Sequence, residues 1–309
     1  MSKKIAFIFP GQGSQAVGML STLAAQYPLI QETFAEASEA LQLDLWQLSQ
    51  KGPAECLNQT QQTQPVLLAA SVALWRLWQQ AGGMSPLFMA GHSLGEYSAL
   101  VCANAIDFPT AIRLVAARGR FMQEAVHEGV GAMAAIVGLD NTQLHTLCHV
   151  LSEGQVLSPA NYNSIGQTVV AGHREAVDRL IAKAKQAGAK LAKRIAVSVP
   201  SHCALMKPAA EQLAHYLKTI PFSSPQYSII NNVDVRVEKK TDAIKNALVR
   251  QLFSPVRWVE IIQWLQQKQL ECLIECGSGN ILAGLNKHTT SIPTLSIHNS
   301  ETLQRALMA

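Results

Sequence analysis

The sequence lacks any apolar run long enough to span a bilayer, and it has no internal repeat and no low-complexity tract. Those absences exclude a helical membrane protein, a solenoid and a disordered linker. Its six cysteines (Cys56, Cys102, Cys148, Cys203, Cys272, Cys276) are scattered and form no C-x-x-C pair, so free thiols are expected rather than a disulfide framework. Aromatic residues are only 6% and do not interleave with the basic ones, and a net charge of +4 falls short of a nucleic-acid signature. His145, Cys148 and His149 share a helical face, but without a fourth ligand or a carboxylate they read as part of an amphipathic helix, and no metal is expected.

What is present is a globular chain of 309 residues, 48% hydrophobic and 15% charged, long enough for one large domain or two. The apolar run at Ile5 to Phe9 stops at Pro10, too short for a secretory segment, and reads as a first buried strand. A cytoplasmic protein is expected, with no membrane or nucleic-acid partner.

Strands then alternate with helices: helical patterns run through Leu41 and over 64–80, and an apolar run at 86–90 precedes another helix. That rhythm indicates a mostly parallel sheet covered on both faces. From Gly131 the order becomes β-α-β-β-α-β, with strands expected at 132–139, 156–161, 167–171 and 190–199. The helix over 141–151 takes Asn141 as its N-cap. This is the order of a ferredoxin-like unit. The expected architecture is therefore α/β, with a large α/β-hydrolase-like domain (1–129 and 199–309) and an inserted ferredoxin-like subdomain (130–198).

The most informative stretch is Gly91-His92-Ser93-Leu94-Gly95, between a strand-like run and a helix-like one. In that context a G-x-S-x-G pattern is a candidate nucleophile elbow, with the serine on a strained turn beside the N–H groups of a helix N-terminus. A serine needs a base, and histidine suits that task near neutral pH. Of nine histidines, His202 stands out, in the turn Pro200-Ser201-His202 after a strand-like run. No acidic third member stands out: Asp140, Asp178 and Asp234 all lie in surface-like contexts, and a backbone carbonyl is an alternative orienting group.

Together these pieces resemble the malonyl-CoA:acyl carrier protein transacylases of bacterial type II fatty acid synthesis, over nearly the whole chain. The resemblance is carried by Phe9-Pro10-Gly11-Gln12-Gly13-Ser14-Gln15, Thr63-Gln64-Pro65, the elbow through Tyr97 and Arg118-Gly119 with Met122-Gln123. Asn161-Tyr162-Asn163 with Gly166-Gln167 and Val199-Pro200-Ser201-His202-Cys203 complete it. It implies Ser93 as nucleophile, His202 as base and Arg118 as the group that grips the malonyl carboxylate. It also implies the N–H groups of Gln12 and Leu94 as the oxyanion hole, and Gln251 as the residue whose main-chain carbonyl orients the imidazole. No cofactor is implied; malonyl-CoA and phosphopantetheinylated acyl carrier protein are the substrates of a ping-pong transfer by a monomer. Gly277-Ser278-Gly279-Asn280 departs from the family's usual glycine-proline-glycine loop.

Two other readings stand beside this one. A serine hydrolase such as a thioesterase uses the same elbow, and a silent carrier-binding module would keep the fold without the chemistry. Lys183, Lys185, Lys190, Lys193 and Arg194 fit either docking of an acidic carrier protein or a solvated helix face.

Overall fold

The computed structural model describes residues 3–308. Nine strands are β1 (Ile5–Phe9), β2 (Phe88–Gly91), β3 (Gly131–Val137), β4 (Leu157–Ser164), β5 (Gln167–His173), β6 (Leu191–Arg194), β7 (Ser228–Ile230), β8 (Cys272–Glu275) and β9 (Thr294–Ser296). They form two sheets, a parallel five-stranded one in the order β7-β2-β1-β8-β9 and an antiparallel four-stranded one in the order β4-β5-β3-β6.

The large sheet is buried on both faces, which is why β1 reads as an unbroken apolar run. Alternate residues serve opposite cores. Ile5, Phe7 and Phe9 pack with Trp75 and Trp78 of the helix Thr60–Gln80. Ala6 and Ile8 pack on the other side with Trp258, Ile261 and Ile262. Trp75 meets Phe7 edge to face, with ring centroids 5.0 Å apart. Full burial of each such side chain contributes about 1.5–3 kcal/mol.

The small sheet carries the helices Asn141–Ser152 and Arg174–Ala184 against one face, sharing a core of Ile136, Leu144, Val170 and Leu180. Its strand order and antiparallel pairing are those of the ferredoxin-like unit. It is joined to the large domain through Val256, whose N–H donates to Ala160 O at 2.9 Å and whose carbonyl accepts from Tyr162 N at 2.9 Å.

Strand ends shift by one to three residues, β4 for instance running on to Ser164, and two further details differ from expectation. The first helix of this unit is capped by Asp140, not Asn141. The Asp140 carboxylate accepts from Gln143 N at 2.8 Å while the Gln143 side chain reaches back to Asp140 N, and this reciprocal box needs the acceptor one residue earlier. The last strand spans Leu191–Arg194 rather than 190–199. The Ile195 N–H still donates to Met133 O at 2.9 Å; beyond it the chain leaves β3, and Ile195 to Val199 line the cleft between the sheets.

Candidate active site

Strand register assembles the site. Phe9 pairs with Gly91, Ala90 with Ile230 and Ile8 with Glu275. Because the strands are parallel, the loops after β1, β2, β7 and β8 all leave the same edge of the sheet, where α/β folds place their ligands. Those loops carry Gln12, Ser93, Asn232 and Ser278.

The elbow needs its two glycines for space. A Cβ on Gly91 would lie 1.8 Å from the carbonyl carbon of Gly95, and a Cβ on Gly95 would lie 2.0 Å from Phe9 O. Between them Ser93 takes a left-handed φ of 52°, a conformation that costs a non-glycine residue of order 1 kcal/mol or more. Asn232 holds it there: its Oδ1 accepts from Ser93 N at 2.7 Å and its Nδ2 donates to Gly91 O at 2.6 Å. Leu94 follows at the head of the helix Gly95–Cys102. Gln12 lines the same cleft, with its side-chain amide donating to Thr60 Oγ1 at 3.2 Å.

His202 sits 2.8 Å from the Ser93 hydroxyl through Nε2, and its Nδ1 lies 2.7 Å from the main-chain oxygen of Gln251. A carbonyl only accepts, so Nδ1 carries the proton and Nε2 is free to accept from the serine. Gln251 is the last residue of the helix Thr241–Gln251, where carbonyls have no partner within the helix. That end also carries partial negative charge, which favours an imidazolium forming beside it. His202 is itself left-handed, with φ of 62°. Burial, together with the Arg118 cation, lowers its basicity to about 3, so the resting imidazole is neutral. None of the three aspartates weighed from sequence contacts it. Asp140 is a cap, Asp178 pairs with Arg194, and Asp234 forms a double ion pair with Arg250.

Arg118, on the helix Phe108–Glu124, is buried, with 1% of its surface exposed. One guanidinium nitrogen donates to Gln64 Oε1 at 2.7 Å. The other donates to Gln251 Oε1 at 2.9 Å and, at 3.4 Å, to Ser93 Oγ. All three partners are neutral, and burial draws the guanidinium below its ordinary value. The Tyr97 ring lies 5.3 Å away. An unneutralised buried cation is costly on its own and attracts an anion strongly. Arg113 and Arg120 are on the outside of the same helix, bonded to Thr110 and paired with Glu124.

The cleft, of about 240 Å³, lies between the two sheets and is walled by Gln12 and Ser93 on one side and Met133 and Val169 on the other. His92 does not reach the serine hydroxyl. Its ring packs on Trp258 and its Nε2 donates to Asn163 Oδ1 of the subdomain at 2.8 Å. Ser278 donates its hydroxyl to Ser14 O at 2.7 Å, clasping the loop that bears Gln12. Lys183, Lys185, Lys190, Lys193 and Arg194 are all exposed. His145 bonds Tyr162 while Cys148 is buried. Among the described residues no group of three metal-ligating side chains occurs, and no helix is long and apolar enough to cross a membrane.

Sequence reasoning gave no role to Asn232, Gln64 or Glu96. Asn232 carried a faint signal, as half of an Asn-Asn pair closing a buried apolar strand. Glu96 is the single acid in a wholly buried helix.

The chain matches the acyl transferase domain family over residues 6–290. It is 57% identical over 305 residues to the malonyl CoA-acyl carrier protein transacylase of Escherichia coli (strain K12), covering 99% of each chain. Its structure resembles the malonyl CoA-acyl carrier protein transacylase of Coxiella burnetii with a TM-score of 0.98, at 50% identity over 100% of this chain and 98% of that one. A TM-score of 0.98 also relates it to a malonyl-transacylase solved in complex with its type II PKS acyl-carrier protein, at 54% identity over 99% of each.

Proposed function

The chain belongs to the malonyl CoA-acyl carrier protein transacylases, and we propose that Ser93 is the residue on which it carries the malonyl group. Its activity is malonyl transfer from malonyl-CoA to acyl carrier protein in fatty acid synthesis.

In this reading Ser93 Oγ attacks the thioester carbonyl while its proton passes to His202 Nε2. The oxyanion is held by the N–H groups of Gln12 and Leu94, each worth about 3 kcal/mol to the transition state. Collapse breaks the carbon–sulfur bond, and His202 returns its proton to the departing CoA thiolate. A malonyl-serine ester remains. The carrier's phosphopantetheine thiol then attacks the ester, gives its proton to His202, and leaves as the malonyl thioester while Ser93 recovers its hydrogen. A thioester enters and a thioester leaves, so the reaction is reversible.

The observation that carries this reading is the buried Arg118 within 3.4 Å of the Ser93 hydroxyl. A planar guanidinium meets a carboxylate through two parallel hydrogen bonds. An acyl group without a carboxylate leaves that cation unpaired, so the same residue attracts malonyl and rejects acetyl. The test is to mix the protein with malonyl-CoA alone and digest it. A malonyl adduct on the Ser93 peptide, stable until carrier thiol is added, is expected. Rapid multiple-turnover release of free malonate, or an adduct elsewhere, would refute it.

A further inference from the structure

Arg118, His202 and the Ser93 backbone are linked through one residue that does not touch the substrate cleft. Gln251 gives its main-chain oxygen to His202 and its side-chain Oε1 to Arg118, while its Nε2 donates to Ser93 O at 3.1 Å. A glutamine amide can flip, and a flipped Gln251 would turn its NH₂ toward the guanidinium, donor against donor. Something must hold it in the productive sense.

The buried Glu96 supplies that hold. Its Oε2 accepts from Gln251 Nε2 at 2.8 Å and from the backbone N–H of Asn232 at 3.0 Å. With Nε2 committed to a carboxylate, Oε1 faces Arg118. Asn232, fixed by the same oxygen, holds Ser93 N. The amide of Gln251 also stands between the acid and the guanidinium, which keeps Arg118 from being consumed by an internal ion pair.

We propose that Glu96 is a positioning residue for acyl selectivity, acting through Gln251 to aim Arg118 at the incoming carboxylate. It rests on the reading that Arg118 holds that carboxylate. What matters is an acceptor at the right reach rather than a negative charge. Glutamine at this position keeps the acceptor and loses the charge; aspartate keeps the charge and withdraws the acceptor by one methylene.

The experiment compares kcat/KM for malonyl and acetyl transfer to acyl carrier protein in the full chain and its variants. Glu96→Asp is expected to lower the malonyl-to-acetyl ratio by about tenfold or more, the scale of one charge-assisted hydrogen bond. Glu96→Gln is expected to hold the ratio. Gln251→Met, which keeps the main-chain carbonyl and removes the amide, is expected to show the loss seen with aspartate, and it decides the matter should the aspartate variant fail to fold. Retention of the ratio by Glu96→Asp or Gln251→Met, or its loss in Glu96→Gln, overturns the proposal. Arg118→Ala separates the two levels. If it collapses the ratio while Glu96→Asp does not, only the role of Glu96 falls. If it leaves the ratio unmoved, the Arg118 reading falls and takes this one with it.

Discussion

The imidazole Nδ1 of His202 lies 2.7 Å from the main-chain oxygen of Gln251, so a helix end stands where a carboxylate stands in a serine triad. A neutral acceptor fixes the tautomer without adding a charge to the cleft. Asp140→Asn and Asp178→Asn are therefore expected to leave the rate of Ser93 acylation unchanged, whereas His202→Ala should lower it on the order of 10⁴-fold. Rapid-quench mass spectrometry of the acyl-protein measures all three, and a rate that fell with either aspartate would point to a hidden acid.

Arg118 makes a sharper demand on its replacement than its charge alone. Arg118→Ala is expected to lower kcat/KM for malonyl transfer by about 10²-fold or more, the loss of paired charge-assisted bonds, while acetyl transfer stays level or improves. Arg118→Lys restores the charge but not the fork, and should recover little. Equal losses for both acyl groups would remove the carboxylate from the account.

Glu96 also leaves a mark on stability that is independent of turnover. Burial raises its carboxyl from an ordinary 4.5 to about 7. Between those values the unfolded chain releases this proton while the folded chain keeps it, so rising pH favours unfolding. The contribution is full below pH 4.5, declines up to about 7 and is level above. Glu96→Gln has no such proton. The Tm of the variant minus that of the wild type should climb across this window and then stay flat; a difference independent of pH would place the carboxyl outside its titration range. Glu275, raised in the same way beneath the helix Ile281–Asn286, is common to both proteins and cancels.

How much of this was legible in the sequence depended on whether a feature has a side-chain signature. The elbow was, because two glycines, a serine and the flanking periodicities state a backbone shape directly. The ferredoxin-like order is too, from alternating runs, although the apolar pattern carries its fourth strand past Arg194. There β-branched residues continue, but they line the cleft rather than pair in a sheet, and Val197 is exposed. The pattern offers Asn141 as a cap as readily as Asp140, and only the reciprocal bond with Gln143 decides for Asp140. The carbonyl of Gln251 has no signature at all, since every residue has one. What distinguishes it is that its helix stops there, opposite a turn 49 residues away. Asn232 carries only a faint signal for a related reason: its value comes from the pairing of β7 with β2, which brings together residues 139 apart.

Ser93 and His202 are each held at a positive φ that glycine would occupy without penalty. A library screened only for heat tolerance would favour glycine at Ser93, whose small side chain leaves little behind, and would drain turnover from the survivors first. Ruggedness here is best sought far from both, on the helices that pack beneath the sheet.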